Sequence, residues 1–200
     1  MQVTEATLCH PIVDGELLFI RKQRGLGAGK LVGPGGKIED GETPREAARR
    51  EVREELRVDP VGLEKRGEFD FHFRDREAER SEASDRASSA ERSSADHSSG
   101  QSPREDGDEG PASGDVDDDS MHVHVFAADG VEGDPEATEE AVPEWHPVGE
   151  LPYDEMWIDD RVWLPHLIEG ETFVGEFVLS DDGESLVRYE MEIGVGVKKL

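Results

Sequence analysis

The sequence predicts an α+β fold, a mixed β-sheet between helices, on three observations. Short apolar strands flank an Asp-Gly pair near the start, a helix with a full set of start signals follows a glycine-rich loop, and a second apolar helix leads into a closing hairpin. The 200 residues can bury a real core and are read as one domain spanning 1–200.

Residues 3–9 and 16–22 are the first strands, joined by Val13-Asp14-Gly15-Glu16, because Asp-Gly supplies the positive φ angles of a tight hairpin. From Arg24 to Gly36 the chain reads RGLGAGKLVGPGG, whose six glycines let the backbone come close to a ligand. Thr43 as N-cap, Pro44 at the first helical position and Glu46 completing a capping box then start a helix that should run to about Arg57. Its apolar stripe is Ala48, Val52 and Leu56, spaced four apart, so that side packs on the sheet.

Residues 66–73 and 121–127 read as strands, with Met121, Val123 and Val125 alternating against His122, His124 and Phe126. The two histidines share a strand face. No third ligand of matching spacing sits nearby in the sequence, so the pair reads as strand packing or surface hydrogen bonding and is left out of the site. Residues 159–168 fit a second helix carrying Val162, Trp163, Leu167 and Ile168, and 172–179 with 185–192 form a hairpin around Asp181-Asp182-Gly183.

Between the two middle strands, residues 75–120 contain no Phe, Trp or Tyr and, alanine apart, only Val116 as an aliphatic. With 15 acidic and 5 basic residues this window cannot make a core, and it is expected to be a disordered acidic insertion. The whole chain carries a net charge of −27, which works against nucleic acid or anionic lipid as partners. Self-repulsion on this scale, with only six lysines among 22 basic residues, fits a halophilic cytoplasm where molar salt screens charge. An apolar run of membrane-spanning length and a secretory leader are both lacking, so the expectation is a cytoplasmic protein that binds no membrane. Cys9 stands alone and reads as a small buried residue.

The chemistry is expected on the first helix. Glu51, Glu54 and Glu55, at spacings of three and four, crowd one side of it. A solvated acidic face is the bland reading. Against it stand Arg50 beside the cluster, Glu42 in the preceding turn and the glycine loop ending at Gly36, which can bring backbone carbonyls to the same point. Hard oxygen ligands so gathered suit Mg²⁺, or Mn²⁺ in its place.

As a string, GKIEDGETPREAARREVREELRV fits the Nudix box G-x5-E-x7-R-E-U-x-E-E-x-G-U, with Gly36, Glu42, Arg50, Glu51, Val52, Glu54, Glu55 and Val58 on its positions. Arg57 stands where the last glycine, which normally ends the helix, would be. Together with RGLGAGKLVGPGGKIEDGET, MHVHVF and EMWIDDRVWLPHLIEG, the chain resembles the MutT-type Nudix hydrolases that sanitise oxidised purine nucleotides. The resemblance covers all but the acidic window.

That resemblance implies an α/β/α sandwich around a mixed sheet, and hydrolysis of a nucleoside triphosphate to the monophosphate and pyrophosphate; a monomer is the separate expectation for the chain. It implies Gly35, Glu51, Glu54, Glu55 and Glu140 as metal ligands, Glu54 or Glu55 as proton acceptor, and Arg50 as the residue that orients them. It places the substrate against Thr7, Lys22, Leu26, Val32, Pro34, Gly35, Gly36, Lys37, Met121, Trp157, Asp159, Asp160 and Trp163. Adjacent Asp159 and Asp160 would read a purine edge with one carboxyl protonated, and either also suits a helix N-cap. Val32 departs from the family's asparagine at that position and can neither donate nor accept. Val32 therefore keeps open a nucleoside diphosphate derivative such as a nucleotide sugar beside oxidised purine triphosphates, and a non-catalytic nucleotide-binding regulator is a further alternative of a different class.

Overall fold

The computed structural model describes residues 3–25, 27–74, 120–180 and 183–197. Along them run β1 (Thr4–Val13), β2 (Glu16–Lys22), β3 (Leu31–Val32), α1 (Pro44–Leu56), β4 (Asp59–Val61), β5 (Glu64–Arg74), β6 (Ser120–Ala128), β7 (Gly130–Glu132), β8 (Ala141–Pro147), α2 (Asp160–Ile168), β9 (Phe173–Ser180) and β10 (Leu186–Ile193). A 3₁₀ turn at Tyr153–Glu155 precedes α2. The main sheet has the order β10-β9-β5-β6-β1-β2-β3, with β8 also paired to β2, while β4 and β7 form a separate ribbon. β1 runs parallel to β6 and β5 parallel to β9, and the other pairs are antiparallel, so the sheet is mixed.

The predicted first hairpin forms because Asp14 and Gly15 take φ angles of 51° and 82° between the paired residues Val13 and Glu16. Side chains of β2 then alternate between two cores. Leu17 and Phe19 pack with Phe69, Val125 and the α2 residues Trp163, Leu164 and Leu167. Leu18 and Ile20 pack with Cys9, Phe126 and the expected α1 stripe of Ala48, Val52 and Leu56. One helix therefore covers each face, giving the α/β/α sandwich. Cys9 is fully buried, and burial pushes its thiol up to about 12, which makes it inert.

Thr43 and Glu46 make both bonds of the capping box. The helix stops at Leu56 and Arg57 takes the left-handed conformation, φ 62° and ψ 23°, with its N–H donating to the Arg53 carbonyl. The arginine thus ends the helix where the motif's glycine would have done so, in a region costly to a residue with a Cβ.

The strands flanking the acidic window pair antiparallel from Glu64 opposite Ala127 to His72 opposite Ser120. Residues 75–119, and with them nearly all of the expected insertion, lie outside the described residues, as do Leu26, Asp181 and Asp182. Among the described residues no helix is long and apolar enough to cross a membrane.

Candidate active site

The glycine loop is laced onto β1. Thr7 N–H donates to the Gly36 carbonyl and Cys9 N–H to that of Pro34, both at 2.8 Å. A Cβ at Gly35 would sit 2.0 Å from the Thr7 carbonyl oxygen, and one at Gly36 would sit 2.4 Å from Glu51 Oε1. Only glycines let this backbone wedge between β1 and the first carboxylate of α1.

Arg50 organises the helix face. Its Nε and Nη2 grip both Glu42 oxygens at 2.8 and 2.9 Å, its Nη1 donates to Glu51 at 2.8 Å and Glu54 at 3.2 Å, and its Nη2 also reaches the Lys37 carbonyl at 3.0 Å. The bidentate pair with Glu42 raises the guanidinium's proton affinity and lowers that of Glu42. A single cation is thus shared by three carboxylates.

Glu55 points the other way, under the loop, where Gly35 N–H donates to its Oε2 at 2.9 Å. Burial pushes its carboxyl up to about 7, against the pull of that N–H and of Lys22, and Glu51 and Glu140 repel it further. Burial likewise raises Glu51, with Arg50 opposing. Glu54 projects into solvent, 59% exposed, and Glu140 lies at the surface in an ion pair with Arg24. The structure therefore links Glu51 and Glu54 through Arg50 and sets Glu55 against Gly35 and near Lys22, Glu51 and Glu140, although among the described residues no three of these carboxylates bring ligand oxygens within 4.8 Å of one another.

Beside it opens a cavity of about 260 Å³. Of the expected substrate residues, Thr7, Lys22, Val32, Gly35, Gly36, Lys37, Met121, Trp157, Asp159 and Asp160 line it. Trp157 is held by close neighbours: a Cβ at Gly183 would lie 2.1 Å from its ring, one at Gly27 3.0 Å, and Lys30 Nζ sits 5.1 Å from the ring centroid.

Two expected substrate residues do not line this cavity. Trp163 is buried behind the slot in the hydrophobic core, and its Nε1–H donates to Asp159 Oδ2 at 3.0 Å, so it positions a lining residue rather than lining the slot. Pro34 is buried under the loop with its carbonyl bonded to β1. Leu26 lies outside the described residues. Asp159 takes the N-cap position expected of the pair, though without the capping bond, and Asp160 Oδ2 accepts the Trp157 N–H at 3.0 Å. Burial raises both carboxyls, Asp159 to about 6 and Asp160 well above its ordinary range, and the two repel each other. Burial and mutual repulsion thus disfavour having both carboxyls ionised at once.

Sequence reasoning missed His10, Phe71, Phe73 and Leu179, which also line the cavity. His10 is buried, burial pushes its imidazole down to about 3, and neither ring nitrogen has a hydrogen-bond partner among the described residues. The alternation of β1, in which Ala6, Leu8 and His10 share a face, was the available signal. His122 Nδ1 lies 2.8 Å from Asp70 Oδ1 and His124 Nε2 lies 3.0 Å from Glu5 Oε2, so the pair is hydrogen bonded, and β1 sets Glu5 beside both rings.

Residues 4–98 match the NUDIX domain family. The chain is 31% identical over 171 residues to the oxidized purine nucleoside triphosphate hydrolase of Danio rerio, covering 86% of this chain and 83% of that protein. It is 29% identical over 185 residues to the Mus musculus protein of the same name, covering 92% of each. This chain belongs to the Nudix family of hydrolases. Among solved structures, a mutator MutT protein from Bacillus halodurans superimposes with a TM-score of 0.69 at 21% identity, over 95% of this chain and 98% of that one, a likeness of fold.

Proposed function

We propose that the protein hydrolyses oxidised purine nucleoside triphosphates to the nucleoside monophosphate and pyrophosphate with Mg²⁺, or Mn²⁺ in its place, and so clears damaged nucleotides from the pool. The observation that carries this reading is adjacency. The slot lined by Trp157, Met121, Asp159 and Asp160 shares Lys22, Gly35 and Gly36 with the carboxylate cluster, so a base in the slot sets its phosphates over that cluster. The names of the Danio rerio and Mus musculus relatives support the same substrate class.

Glu51, Glu54, Glu55, Glu140 and the Gly35 carbonyl are the groups that would hold divalent ions, and an oxygen-only set fits Mg²⁺ or Mn²⁺. Such ions when bound supply Lewis acidity toward the phosphoryl oxygens and the attacking water. The chain's own residues do the rest. Lys22 and Lys37 at the slot face the spreading negative charge of the phosphates. Glu54 or Glu55 accepts the proton of the attacking water. Arg50 touches no substrate and fixes the rotamers of Glu42, Glu51 and Glu54. Trp157 offers a face for base stacking, and the aspartate pair, sharing one proton, donates to the purine edge through one carboxyl and accepts through the other.

The test is a hydrolysis panel in molar salt comparing 8-oxo-dGTP, 2-oxo-dATP, the unmodified triphosphates and ADP-ribose, with pyrophosphate and phosphate measured separately. Pyrophosphate release fastest from the oxidised purines is expected, and Glu55→Gln should lower it by at least about 100-fold. Wild-type turnover by Glu55→Gln would dismiss the carboxylate cluster as the catalytic site. Val32 on the slot wall favours one second reading, a nucleoside diphosphate derivative, which preferential turnover of ADP-ribose would select.

A further inference from the structure

On the sheet face opposite the substrate slot, strand register gathers a set of side chains that the hydrolytic site does not use. Glu5 of β1 pairs with His122 of β6, and Asp70 and Glu68 of β5 pair with His122 and His124 from the other side. Directly paired residues project to one face, so all five meet there. One ligand atom from each of Glu5, His122 and His124 falls within 4.8 Å of the others. His124 Nε2 lies 3.0 Å from Glu5 Oε2, and the two rings meet edge to face with centroids 4.7 Å apart.

From this geometry we propose a second metal site, built by Glu5, His122 and His124, that takes a borderline divalent cation of the Zn²⁺ class. Two imidazoles and one carboxylate are a zinc-type donor set, distinct from the oxygen-only set on α1. Asp70 Oδ1 sits 2.8 Å from His122 Nδ1, which fixes the tautomer that leaves Nε2, 3.8 Å from Glu68 Oε2, to ligate, the carboxylate–histidine arrangement that orients metal ligands. The His124 side chain is 6% exposed, and its buried Nδ1 has no hydrogen-bond partner among the described residues. The nearby Lys65 ammonium is occupied by Glu68, so the cation binds through the other three residues. Bound there, it clamps β1, on which the glycine loop rides, to β6.

The experiment is Zn²⁺ titration calorimetry and thermal melting on untagged full-length protein in saturating Mg²⁺, with Co²⁺ absorption as the geometric probe. Wild type and Glu55→Gln should each bind about one Zn²⁺ per chain, melt at higher temperature with it, and give four-coordinate Co²⁺ bands. His122→Ala and Glu5→Gln should weaken binding at least tenfold, and Asp70→Asn by about 10- to 100-fold. Both His122→Ala and Glu5→Gln alter exposed or half-buried strand positions, and circular dichroism and nucleotide hydrolysis in Mg²⁺ should match wild type. Absence of Zn²⁺ binding by wild type would overturn the proposal. So would binding that survives both His122→Ala and Glu5→Gln, or that is lost in Glu55→Gln alone, which would place the ion on the α1 glutamates.

Discussion

Replacing Asp159 by asparagine should stabilise the fold while damaging the enzyme. Asp159 is 3% exposed, and burial raises its carboxyl from an ordinary 3.8 to about 6 beside the also buried Asp160. A carboxyl whose folded value exceeds its unfolded one favours the folded state most below the unfolded value, and that advantage is lost as pH rises through the folded value. At about 1.4 kcal/mol per pH unit, the span from 3.8 to about 6 corresponds to about 3 kcal/mol withheld from the native protein at pH 8. Asparagine keeps an oxygen to accept the Trp163 Nε1–H now bonded at 3.0 Å, so packing and this bond survive. Urea unfolding of both proteins at pH 4 and pH 8 in high salt gives the quantity needed: stability of Asp159→Asn minus that of wild type should rise by up to about 3 kcal/mol between the two pH values. The kcat/KM for an oxidised purine triphosphate should fall at least about tenfold, because the pair no longer shares a proton. A stability difference flat with pH would refute the claim that these carboxyls sit together at the cost of folding.

Three further outcomes are expected. Arg57→Gly should raise stability by about 1 kcal/mol, a melting shift of about 2–4 °C, because it relieves a left-handed arginine at φ 62°; an unchanged or lowered melting temperature would contradict that strain. Gly183→Ala, at φ 67° and with its Cβ 2.1 Å from the Trp157 ring, should raise KM by about 2- to 12-fold through lost stacking, whereas Gly149→Ala, in open space, should leave it alone. His10→Leu should flatten acid unfolding. Burial lowers the imidazole from 6.5 to about 3, so its contribution is complete above pH 6.5 and is lost by about 1.4 kcal/mol per unit as pH falls toward 3; equal acid slopes in variant and wild type would count against a buried neutral His10.

What the sequence made legible was local. The Asp14-Gly15 turn, the Thr43 capping box and the Ala48, Val52, Leu56 stripe each need only a few neighbouring residues, and each forms as expected. β8 was not seen because Pro143 and Pro147 argue against a strand; it is tolerated at a sheet edge, where a missing N–H does no harm. Trp163 was misplaced because one turn of helix from Asp159 suffices to put its ring behind that carboxyl instead of in the slot. Glu5 could not be linked to His122 because their pairing joins parallel strands far apart in the chain, and nothing in a single sequence states such a register.

The hairpin between β5 and β6 has its own thermodynamic meaning. His72 and Ser120 face each other across the ladder, yet 47 residues, from 73 to 119, connect them. The entropy of joining two ends grows only with the logarithm of contour length, so a connection of this many residues costs only about 2 kcal/mol more to close than a four-residue turn. The tip of that ribbon is therefore a cheap place for evolution to lengthen the polypeptide, and grafting a foreign peptide there should disturb neither the sheet nor the glutamates on the helix beyond it.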